Sequence, residues 1–79
     1  MASKKTIQEL ADIHGVKVAF EFGNAGGEFG GETRLTLPEG KLTADGSTGY
    51  TVIADGSTYS THLTAVMQDL RELIRFYLT

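Results

Sequence analysis

Acid–base or metal chemistry in this chain would have to start from His14 and His62, its only imidazoles, because it contains no cysteine. Neither histidine belongs to a His-x-x-x-His or Glu-x-x-His pattern, the spacings that bring two ligands onto one helix face. His14 lies four residues after Leu10, on the apolar side of a short helical segment, so the spacing predicts a half-buried imidazole rather than a ligand. Serines and threonines are plentiful, but none sits in the Gly-x-Ser-x-Gly elbow that exposes a nucleophile at a strand-to-helix turn. Ten acidic residues on so small a chain bring some pairs together by chance, so a carboxylate pair alone does not mark catalysis. The expectation is a protein that is not an enzyme and holds neither cofactor nor metal.

Two other stretches have the composition of ligand loops. Residues 23–31 hold five of the ten glycines, and glycine lets backbone N–H groups approach a phosphate. No Gly-x-Gly-x-x-Gly occurs there. Gly26 and Gly31 have the spacing of a phosphate loop, but Glu32 stands where the lysine belongs, and Glu28 and Glu32 repel phosphate. The stretch reads instead as a long flexible connection between strands, in which Phe29 is either an exposed contact at the tip or folded back on the sheet edge. Asp45-Gly46 and Asp55-Gly56 each offer one carboxylate, far below the roughly six to eight oxygens calcium takes. Asp-Gly between extended segments is a two-residue hairpin signal, so the pair predicts two successive hairpins of one meander.

The elements that position these residues follow from periodicity. Leu63, Val66, Met67, Leu70, Leu73, Ile74, Tyr77 and Leu78 recur every three or four residues and form one helical stripe between His62 and Leu78. Ser60 or Thr61 is the expected N-cap, and Phe76 falls about 120° from the stripe. Thr6-Ile7-Gln8-Glu9 reads as a capping box that opens a short helix with Ile7, Leu10 and Ala11 inward, stopped by Gly15. Val16, Val18, Phe20 and Phe22 alternate as one strand face, and Thr33, Leu35 and Leu37 as another, closed by Pro38-Glu39-Gly40. Gly49–Ala54 is a third strand. The fold class is α+β: a short N-terminal helix, an antiparallel three- to four-stranded meander, and an amphipathic helix across one sheet face. Residues 1–79 form a single domain, with 1–5 frayed.

The segment Thr6–Val16 resembles the opening of bacterial repressor helix-turn-helix domains, in which a small residue precedes the glycine of the turn by four, as Ala11 precedes Gly15. That resemblance implies DNA binding dependent on Lys4, Lys5 and Lys17. The resemblance spans 11 residues, and the alternation after Gly15 predicts a strand where the recognition helix should stand.

Charge supplies the remaining expectation. The net charge is −3 and the pI about 5.2, against the basic excess of nucleic-acid binders. Residues 21–55 carry −4, whereas 1–20 carry +1 and 56–79 are neutral. Carboxylates gathered on a scaffold complement Lys/Arg-rich surfaces and compete with nucleic acid for them. In size and charge the chain resembles the small acidic α+β proteins that phages encode against host defence complexes, anti-CRISPR-like in character. The expected function is a protein-binding inhibitor that occupies a basic surface of a nucleic-acid-handling complex through Glu28, Phe29, Glu32, Glu39, Asp45 and Asp55. Direct nucleic-acid binding and membrane insertion are not expected, and the expected compartment is the cytoplasm. The alternatives are a structural subunit forming a homo-oligomer, with a homodimer as its simplest form, and a DNA-binding regulator.

Overall fold

The computed structural model describes residues 2–25, 28–55 and 58–78, and the side chains of 22–25, 28–30, 54 and 55 lie outside that description. The element order is α1 (Lys4–His14), β1 (Lys17–Ala25), β2 (Glu28–Thr36), β3 (Gly49–Asp55) and α2 (Tyr59–Tyr77). The three strands form one antiparallel sheet in the order β1-β2-β3. A fourth strand is not present among the described residues.

Helix α1 begins three residues earlier than the Thr6 capping box predicts. Ser3 is the N-cap, its Oγ accepting from the Thr6 N–H at 3.2 Å while the Ser3 N–H donates to Thr6 Oγ1 at 2.9 Å. Thr6 thus occupies the third helical position, where its hydroxyl does the work expected of Glu9. Gly15 ends the helix in the left-handed region at φ 73°, and its N–H returns to the carbonyls of Ala11 and Asp12. A side chain there would be strained by the positive φ.

Beyond Gly15 the chain enters β1, so α1 is not followed by a second helix and the helix-turn-helix outline stops at the turn. The glycine-rich stretch is not a long loop. The ladder continues through Phe22↔Gly31, Gly23↔Gly30, Asn24↔Phe29 and Ala25↔Glu28. Ladder hydrogen bonds need only backbone groups, so paired glycines extend a hairpin that carries no side-chain alternation to reveal it.

Nor does either Asp-Gly pair join two strands. Asp45-Gly46 lies inside the 37–48 connection between β2 and β3, where Thr43 N–H donates to Ser47 O at 2.9 Å and Leu37 N–H to Thr48 O at 2.8 Å. Asp55 closes β3, and Thr58 is already the N-cap of α2, its Oγ1 accepting from the Thr61 N–H at 3.2 Å. That leaves no length for a strand after Asp55, and it puts the cap two to three residues ahead of Ser60 and Thr61.

Alternation in the strands sets the layers. Val18, Phe20, Thr33, Leu35, Tyr50 and Val52 turn towards the helices, and Leu35 and Thr33 are fully enclosed. The stripe on α2 supplies Leu63, Val66, Met67, Leu70, Leu73 and Ile74 to the same core, with Ile7 and Ala11 from α1. Each of these side chains other than Ala11 contributes roughly 1.5–3 kcal/mol of burial. Lys4 adds a tie from the start of α1, its Nζ 5.3 Å from the Phe20 ring centre. Both helices therefore lie on one side of the sheet.

Candidate interaction surface

The other side of the sheet has no element of this chain over it among the described residues. Where its side chains are described, its residues fall in three cross-strand rows: Lys17–Thr36–Gly49, Ala19–Arg34–Thr51 and Glu21–Glu32–Ile53; the register continues beyond them through Gly23–Gly30–Asp55 and Ala25–Glu28. Lys17, Ala19, Glu21, Glu32, Thr51 and Ile53 are exposed, and Ile53 is 69% so.

Glu21 stands directly opposite Glu32, and like charges so placed repel each other in a sheet. No basic residue occurs between Lys17 and Arg34, so nothing along that arm of the hairpin neutralises them. Arg34 turns away: its guanidinium donates to Thr51 Oγ1 at 3.2 Å and Thr48 Oγ1 at 3.0 Å, which pins its charge towards the first row. The face is therefore dipolar along the strands, basic at one end and acidic at the other.

The six sequence-predicted positions do not come together as one cluster. Glu32 lies on the open face. Glu28 and Asp55 have backbones in the same sheet, Glu28 opposite Ala25 and Asp55 opposite Gly30, but their side chains and that of Phe29 lie outside the described residues. Glu39 is in the turn at the opposite, basic end, where Lys41 N–H donates to Pro38 O at 3.1 Å. Asp45 is occupied internally. Its Oδ1 accepts from the Thr43 hydroxyl and, at 3.1 Å, from the Ser47 N–H, and these bonds hold its carboxyl below the usual carboxylate range. Glu21 joins Glu32 in their stead. Its signal was available in the alternation of β1, but only the strand register shows which acid it faces.

Two polar arrangements in the covered layer also escaped sequence reasoning. His62, 1% exposed, places Nε2 2.7 Å from the Oγ1 of fully buried Thr33, tying the first turns of α2 to β2. Burial lowers its pKa from the ordinary 6.5, since a charged imidazole is costly in an apolar layer. Tyr50 packs its ring 6.2 Å from that of Tyr77, and the Tyr77 hydroxyl together with burial pushes Tyr50 up to about 12. Tyr77 in turn accepts from the Ala44 N–H at 3.3 Å, anchoring the 37–48 connection to the end of α2. Both are structural ties. His14 is half-buried, as its spacing implies.

A groove of about 730 Å³ runs between the start of α1 and α2, floored by Met67 and rimmed by Arg71, Glu72 and Arg75. Among the described residues it brings together no histidine, paired carboxylates or nucleophile–base pair. Phe76 is 65% exposed beside it in the chain, with the Arg75 guanidinium 5.6 Å from its ring centre. No group of three metal-ligating side chains occurs among the described residues, and no described helix is long and apolar enough to cross a membrane. Comparison with protein-family models, curated proteins and solved structures finds no match to this chain.

Proposed function

We propose that this chain is a non-enzymatic protein-binding module, an acidic inhibitor that occupies a basic surface of a nucleic-acid-handling complex, of the kind phages direct against host defence. The Glu21–Glu32 row carries this reading. Two carboxylates are held opposite one another on an open sheet face, an arrangement that costs the fold stability and gains it only when cations arrive from outside. Rigid strands fix their spacing, which favours encounter with a Lys/Arg-rich groove and exclusion of the phosphates that groove would otherwise hold.

The test uses the immobilised protein in lysate of the organism it acts in, at low and moderate salt, with mass spectrometry of what is retained. The expected result is a basic, nucleic-acid-handling complex that added nucleic acid displaces. Glu21→Lys/Glu32→Lys abolishes that retention, whereas Glu39→Lys, at the far end of the sheet, leaves it unchanged. Retention unaffected by the double reversal would end the acidic-surface reading.

A further inference from the structure

The uncovered face is complementary to itself. Lys17 and the pinned Arg34 guanidinium mark one end, Glu21 and Glu32 the other. Four residues of strand separate Lys17 from Glu21, about 13 Å at the rise of a β-strand, which exceeds the ~10 Å screening length at 0.1 M salt. The two ends therefore act as distinct poles. Between them the exposed side chains are small, Ala19 and Thr51, and the long side chain of that row, Arg34, is held to Thr51 and Thr48 on its own sheet, which leaves room for a second sheet over Ala19. Each pole also carries a large exposed apolar residue. Ile53 stands in the acidic row, and Leu42, 56% exposed, lines with Lys17, Thr36, Lys41 and the single carboxylate Glu39 a groove of about 520 Å³ at the basic end.

We propose that a second copy of this chain covers the face, about a two-fold axis that lies between the sheets, crosses the strands and passes through the Ala19–Arg34–Thr51 row. Such an axis keeps β1 over β1 and reverses the strand direction. It sets Lys17 against Glu21 of the second copy, brings Arg34 towards its Glu32, and carries Ile53 over the groove beside Leu42. An axis along the strands would instead stack acid on acid, so the charges select one isologous arrangement. Three strands of five residues present on the order of 250 Å² per copy, well below the ~800 Å² of a standard interface. The association is accordingly weak and salt-dependent, and a basic partner competes with it for Glu21 and Glu32.

The test is sedimentation of the intact chain over concentration and salt, with charge-swapped variants. The wild type self-associates at low salt and the dimer dissociates as salt is raised. Lys17→Glu and Glu21→Lys each weaken self-association about tenfold, and their equimolar mixture recovers a 1:1 heterodimer. Lys17 is outside the acidic set, so Lys17→Glu spares capture of a basic partner and separates failure of this dimer from failure of the inhibitor reading. In parallel, Ala19→Cys, which meets its own copy across the axis, is joined by a bismaleimide spanning the roughly 10 Å between stacked sheets. Ile13→Cys on α1 is the reference for random collision. A wild type still monomeric at about 1 mM, a mixture without heterodimer, or equal cross-linking at both cysteines would overturn the proposal.

Discussion

Val18, Phe20, Thr33, Leu35 and Val52 face the helices, while their chain neighbours Ala19, Glu21, Glu32, Arg34 and Ile53 face away. The same strands thus carry two surfaces built on opposite terms. On the covered side even the polar residues are paired to each other, Thr33 with His62, and every substitution changes the packing of a closed layer. On the open side two acids oppose each other and a large apolar residue meets water. The covered face is organised for the stability of this chain. The open face adds no apolar packing to this chain, its opposed acids cost stability, and it is the face on which the proposed binding rests.

The contrast can be broken first where a glycine of β3 lies against the backbone of β2. A Cβ on Gly49 would lie 1.9 Å from the Leu35 carbonyl oxygen, a backbone contact that no rotamer change relieves. Gly49→Ala is therefore expected to cost about 3 kcal/mol or more and to open the β2–β3 ladder, seen as a lowered denaturant midpoint and lost protection of the β3 amides. Thr33→Val follows, at about 1–3 kcal/mol, because it strips His62 of its 2.7 Å partner inside the core. A chemical-denaturation series compares it with Thr36→Val on the open side, where the change stays within about 0.5 kcal/mol.

The same histidine gives the covered layer a pH dependence. Its folded pKa lies below the unfolded 6.5, so the unfolded chain takes up a proton first as the solution is acidified. The His62 contribution is complete above 6.5 and is lost progressively between 6.5 and the lowered folded value. Denaturation midpoints measured from pH 8 to pH 5 should fall in that window, and His62→Gln should flatten that part of the profile. The smallest effect belongs to the open face and has the opposite sign. Glu21→Gln relieves the cross-strand repulsion and stabilises by about 0.2–1 kcal/mol at low salt, a gain that added salt removes.

Features that depend on side-chain periodicity were legible in the sequence. The α2 stripe, the inward alternation of β2 and the stop at Gly15 all lie where spacing puts them, because apolar burial enforces period directly. Features that rest on backbone pairing were not. Gly23 opposite Gly30 leaves no pattern to read, so a hairpin arm looked like a loop. Asp45-Gly46 has turn chemistry, but the carboxylate accepting from Thr43 and Ser47 stabilises a compact connection instead of a hairpin between strands. The candidate surface was legible only as acidic composition in the middle of the chain. Which acids meet is a matter of register, and register brought Glu21 to Glu32 while leaving Glu39 and Asp45 at the other end.

The helix that completes the core follows all three strands in the chain, and this has a bearing on how the protein is made. A ribosome-bound chain that has emerged only as far as Asp55 carries the inward faces of β2 and β3, Leu35 and Val52 among them, with α1 alone to shelter them. Three strands and an 11-residue helix then wait on the 19 residues of α2 for most of their apolar contacts. Folding is in this sense a single late event. Until α2 emerges, chaperones and neighbouring nascent chains meet the covered face of the sheet as well as the open one.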